Sequence, residues 1–132
     1  MDRNSEILLG IVRLFIDEYR TRADYDESAY VGCQIDVDEG FCAVRWFELI
    51  DGRAKSLRNI GNSLLLSRMV LELWGDSGKD WGTLFLLISP GSGRFKASFK
   101  SFDDAYNFRV TGTHLEVAVK EVLGMFPPLD SE

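Results

Sequence analysis

Residues 81–104, WGTLFLLISPGSGRFKASFKSFDD, hold an apolar run, a Pro-Gly-Ser-Gly break, a strand alternating basic with apolar, and an acidic exit. This is the pattern of a β-hairpin, because successive strand side chains point to opposite faces of a sheet. In the second strand Phe95, Ala97 and Phe99 share one face, and Arg94, Lys96, Ser98 and Lys100 share the other. A four-residue loop at Pro90–Gly93 places Ser89 opposite Arg94, and Ile88, Leu86 and Leu84 opposite Phe95, Ala97 and Phe99. That register makes one continuous apolar face. A slip by one residue sets Leu86 against a lysine, so the pattern specifies the pairing. The opposite face carries Thr83, Phe85 and Leu87 among basic residues, and is expected to be solvated and partly covered by lysine stems.

Upstream of the hairpin, Ile7, Leu8, Ile11, Leu14, Phe15 and Tyr19 recur at helical spacing and predict a helix from Ser5 to about Arg20. Strands are expected over Tyr30–Val37 and Phe41–Ile50. The Asp51-Gly52 turn signal predicts a short third strand at Arg53–Leu57. A second helix is expected over Gly61–Trp74, burying Leu66, Met69, Val70 and Leu73, with Gly75 as its stop. Downstream, Tyr106–Val110 has the character of an edge strand. Thr113 and Glu116 fit a capping box that opens a last helix. Its apolar face is Leu115, Ala118, Val119, Val122 and Phe126, and Pro127-Pro128 ends it. The order is α-β-β-(β)-α-β-β-(β)-α, without repeats or linkers. It predicts one α+β domain over residues 1–132: an antiparallel sheet with helices packed mainly on one face.

At 132 residues the chain is long enough for a core without staples, and 45% hydrophobic against 27% charged residues excludes gross disorder. The apolar runs are too short to span a bilayer as helices, and the N-terminus MDRNSEILLG lacks the features of a secretion signal, so a cytoplasmic protein is expected. The net charge of −6 argues against direct nucleic-acid binding, which needs a basic surface, and suits a basic protein partner.

Cys33 and Cys42 are the only cysteines and His114 the only histidine, so no zinc site can be assembled. A two-residue turn at Asp38-Glu39 would set Ile35 opposite Cys42 and Cys33 opposite Val44. The thiols would then be diagonal neighbours roughly 7–8 Å apart, beyond easy disulfide geometry. Two buried thiols are expected.

No catalytic constellation emerges. His114 sits in a helix cap without a nucleophile beside it, and Gly91-Ser92-Gly93 lacks the lysine and helix of a phosphate loop. The acidic pairs lack the spacing of a calcium loop. The chain is therefore read as a binding protein, with no catalytic residue, metal or cofactor. Trp74 and Trp81 flank the polar connection Gly75–Asp80, where a tryptophan beside carboxylates suits recognition of arginine or lysine. The candidate partner-binding residues are Asp36, Asp38, Glu39, Asp76, Asp80, Asp103 and Asp104, with Trp81 as an anchor.

Trp81, the alternation through Ile88, Gly93-Arg94-Phe95, Phe99 and Phe102-Asp103-Asp104 together resemble the YezG-like immunity proteins of bacterial polymorphic toxin systems. The family shows a tryptophan, an amphipathic strand, a glycine-basic-phenylalanine turn exit and an aromatic-acidic ending. In layout the resemblance covers residues 5–110, and in motif residues Trp81 to Asp104, with Phe102 where the family pattern has tyrosine. It implies a cytosolic antitoxin that binds and neutralises the C-terminal domain of a cognate toxin, often a nuclease. The size, the charge and the apolar second helix also suit an alternative, an acidic type III secretion chaperone that binds an extended effector segment as a homodimer.

Overall fold

The computed structural model describes residues 2–22, 25–26, 28–39, 41–50, 53–57, 64–101 and 122. Helix α1 runs over Arg3–Arg20, followed by strands β1 (Tyr30–Asp38), β2 (Phe41–Ile50) and β3 (Arg53–Leu57). Helix α2 spans Leu64–Asp76, and β4 (Trp81–Ser89) and β5 (Arg94–Ser101) form the second hairpin. The five strands make one antiparallel sheet in the order β3-β2-β1-β4-β5. The expected α+β class is observed, and so is the expected element order from the first helix to the fifth strand. The expected strand at 106–110 and capping box at Thr113–Glu116 lie outside the described residues. Val122, from the predicted apolar face of the last helix, is helical and fully buried.

Helix α1 starts at Asp2, whose carboxylate accepts a 2.7 Å hydrogen bond from the Ser5 amide. That capping bond holds the Asp2 carboxyl below its usual range. The helix buries Ile11, Val12, Phe15, Ile16 and Tyr19, so its stripe is wider than the sequence spacing alone marked out. α2 buries Leu66, Val70, Leu73 and Trp74, with Met69 half-buried beside them. Both helices pack on the sheet face formed by Val31, Cys33, Ile35 and Val37 of β1, Trp46 of β2, and Leu84, Leu86 and Ile88 of β4. Phe15 stacks on Trp46 with centroids 3.6 Å apart and planes 8° from parallel, coupling α1 to the first hairpin. Tyr19, one turn on, donates its hydroxyl hydrogen to buried Glu48. Burial first, and then that carboxylate, push the tyrosine's pKa well up.

The second hairpin has the expected register: Ser89 pairs with Arg94, Ile88 with Phe95, Leu86 with Ala97 and Leu84 with Phe99. The first hairpin differs. Asp38 pairs with Phe41, so Glu39-Gly40 rather than Asp38-Glu39 is the connection, and Cys33 faces Trp46 while Val37 faces Cys42. Glycine at the second position of a two-residue connection is what the hairpin-compatible turns favour. The shift is by an even number of residues, so both cysteines keep their predicted face. They stand four residues apart along the ladder, about 13 Å by strand rise, and both are free thiols.

The outer face corrects the expectation of a solvated surface. Phe47, Phe85, Leu87 and Thr83 are all buried there. Gly32 lies under the Phe47 ring so closely that an added Cβ would sit 2.2 Å from it, and only a residue without a side chain admits that crossing.

Two outcomes test this core. Trp46→Ala should cost about 3–5 kcal/mol in urea unfolding, since it removes a buried aromatic stacked on Phe15. A loss below about 1 kcal/mol would place Trp46 outside the core. The thiols give a second readout. Burial pushes the Cys33 thiol well above its ordinary pKa, and raises that of half-buried Cys42 despite an opposing hydrogen bond with Ser67. A thiolate-seeking reagent at mildly alkaline pH should therefore label Cys42 slowly and Cys33 only as urea unfolds the chain.

Candidate partner-binding end of the sheet

The connection from α2 to β4 is built by the end of the helix. Gly75 does not stop α2, which continues to Asp76. The stop is Gly78 at φ 79°, with the Lys79 amide donating to Trp74 O (2.9 Å) and the Gly78 amide to Gly75 O (3.2 Å). This reverse turn caps the last carbonyls and needs a left-handed residue at Gly78, which glycine adopts without steric cost. Lys79 follows at φ 58°, its ammonium 5.0 Å from the centre of the Trp74 ring and 2.9 Å from Glu39 Oε1.

The two tryptophans then tie helix to strand. Trp74 Nε1 donates to Trp81 O (2.7 Å), Trp81 Nε1 donates to Ser77 Oγ (2.8 Å), and Ser77 Oγ donates to Trp74 O (2.9 Å). These bonds pin the start of β4 beneath the end of α2. Trp81 is thus 4% exposed, a wall of the structure rather than a free side chain.

Pairing of β1 with β4 carries the first acidic group to the same end. Asp36 lies opposite Thr83, so Asp38 and Glu39 emerge beside the strand start at Trp81. Asp36 is half-buried on the outer face and accepts from Thr83 Oγ1 (2.7 Å) and Gln34 Nε2 (3.3 Å). Its carboxylate is engaged within the sheet. Asp38 is exposed and accepts from the Glu39 amide (2.8 Å). Arg3, at the start of α1, pairs with Glu72 and lies 3.5 Å from Asp76. Asp80 is exposed and has no hydrogen bond or ion pair among the described residues. The structure therefore gathers Asp38, Glu39, Asp76 and Asp80 at one end of the sheet, around Trp81. Asp103 and Asp104 lie outside the described residues.

Between α1, the end of α2 and the β4-β5 hairpin is a groove of about 320 Å³ lined by Leu73, Trp81 and Phe99, with Asn4, Ser77 and Asp80 among its polar walls. Phe99 meets Trp81 edge to face at 5.1 Å and is 43% exposed, although the alternation alone places it on the buried face. Asn4 carries no local signal of a role, because it arrives from the far end of the sequence. A wider depression of about 600 Å³ at the β3 edge is lined by Glu48, Ile50, Arg53, Ala54 and Lys55, and shares none of the candidate residues.

Among the described residues no group of three or more His, Cys, Asp and Glu side chains is placed to hold a metal ion, and no helix is long and apolar enough to cross a membrane. In comparisons with known proteins, no family model matches the chain and no curated protein does.

The turn generates a direct test. Gly78→Ala should destabilise the protein by about 1 kcal/mol in urea, because alanine is strained in the left-handed region. Gly75→Ala, in a helical position with open space around it, should be neutral or stabilising.

Proposed function

We propose that this protein is an immunity protein: it binds a cognate bacterial toxin domain through the acidic end of its sheet and covers that domain's basic active site or substrate groove. The observation that carries the reading is the convergence of Asp38, Glu39, Asp76 and Asp80 around the Trp81–Phe99 groove. Carboxylates with apolar surface between them suit a basic protein face, where the apolar part supplies affinity and the charge supplies encounter rate and register. The resemblance of Trp81–Asp104 to the YezG-like family supports the same reading and makes a nuclease domain the expected toxin, acting in the cytoplasm where the complex would form. A carboxylate-rich surface competes with nucleic acid for such a toxin without binding nucleic acid itself. The mechanism is stoichiometric occlusion, without catalysis or a cofactor.

One observation favours the second reading, an acidic secretion chaperone acting as a homodimer. Leu64 and Leu65 at the start of α2 are 67% and 55% exposed, an apolar pair on the surface of the second helix. Sedimentation of the protein alone separates the two: a stable dimer that Leu64→Glu and Leu65→Glu dissolve would favour the chaperone.

Co-expression with a toxin domain encoded beside this gene should restore growth and yield a complex that copurifies. Failure of both, with folded protein present, would overturn the immunity reading. In stopped-flow mixing, association should slow markedly with added salt while dissociation changes less. Asp76→Asn with Asp80→Asn should slow association several-fold without unfolding the domain, both positions being exposed.

A further inference from the structure

The sheet is buried on both faces, but α1 and α2 account for only one of them, the face of Val31, Cys33, Trp46 and Leu86. On the other face Phe47 and Phe85 are fully buried, and Leu49, Leu87 and Gln34 nearly so. The register sets Phe47, Gly32, Leu87 and Lys96 in one row across four strands, and Gln34, Phe85 and Ser98 in the next. Lys96, Ser98 and Lys100 of β5 share this face; they are half-buried, and none of them is without a partner. A solvated outer face would leave such lysines exposed. The burial is that of a single chain, so what covers the face belongs to the chain itself.

We propose that the chain's own C-terminal segment, residues 113–126, docks across this outer face, with Val122 seated against Phe47, Phe85 and Leu87. Val122 is helical and fully buried, yet it stands outside the core beneath α1 and α2, as do those three residues. Leu115, Ala118, Val119 and Phe126 recur in helical phase with Val122 and make the segment's apolar stripe. The other stretches outside the described residues are short, the longest being RNIGNS at 58–63, which has one large apolar side chain. Length agrees as well. Strands β2 to β5 span three spacings, about 14 Å, and a helix over 113–126 would be about 21 Å long, enough to cross all four. Charge agrees in sign, because Glu116 and Glu121 flank the apolar stripe and β5 presents Lys96 and Lys100 on this face. The inference is independent of the acidic-end reading: it assigns the outer face to the chain itself and so removes that face from the surfaces open to a partner.

The test is a nuclear Overhauser measurement on the full, unsubstituted chain. The Val122 methyl protons should show cross-peaks to the Phe47 or Phe85 ring or to the Leu87 methyl groups, and none to Trp46, Leu84 or Leu86. Cross-peaks to the second set in place of the first would overturn the proposal. A thiol introduced on the outer face by Ser98→Cys gives a second readout, with Cys33 on the opposite face as the internal control. Adding Val122→Thr keeps the shape of the side chain but sets a hydroxyl against the apolar face, which weakens the cover without removing it. Peptide-resolved labelling at position 98 should then accelerate several-fold while labelling at Cys33 stays unchanged. Equal acceleration at both positions, or none at position 98, would overturn the proposal.

Discussion

The central strand β1 is the constraint on which the remainder of the structure depends. It is paired on both edges, with β2 over its whole length and with β4 from Val31 to Asp36. Every second residue is buried beneath the helices, and the residues between them form an outer face on which Gln34 is also buried. A strand held this way cannot slip by one residue without exchanging Val31, Cys33, Ile35 and Val37 for Gly32, Gln34 and Asp36 on the helix side. Its position then sets everything attached to it: where Trp46 meets Phe15, where Phe47 crosses Gly32, and which acidic residues leave the sheet beside Trp81.

The acidic end depends on buried polar bonds more than on its ion pairs. The Lys79–Glu39 pair is half or more exposed on both sides, and pairs of that kind contribute little stability. The bonds among Trp74, Ser77 and Trp81 differ, because they join two buried aromatic residues and close the end of α2 onto β4. The glycine-dependent turn at Gly78 makes that closure sterically feasible. The groove walls are thus set before any partner arrives, and binding there need not order them.

The same logic separates Asp36 from the other carboxylates. Bonded to Thr83 and Gln34 and half-buried, it serves the interior of the sheet, whereas Asp38, Asp76 and Asp80 face outward. The candidate partner-binding carboxylates, of equal appearance in the sequence, therefore divide into one that organises the sheet and several that present charge. Their division follows from depth along β1 and from what stands opposite on β4.

Local patterning by itself determined the elements and one register. The alternation of Arg94–Lys100 against Leu84–Ile88 admits a single pairing, and helical spacing in α1 and α2 marks their buried sides, so these features are readable from residues close in sequence. The turn at Glu39-Gly40 was also written there, in the placement of one glycine, but a neighbouring Asp-Glu pair competed for it. The tertiary structure alone decided the rest. No local pattern says that β4 lies beside β1, that Phe85 and Leu87 are buried on the outer face, or that Phe99 is left partly exposed. Nor does any bring Asn4 to Trp81 across the length of the domain. Those outcomes come from contacts between distant segments, where the burial of one element depends on which others cover it, and sequence periodicity records only that a side chain seeks cover.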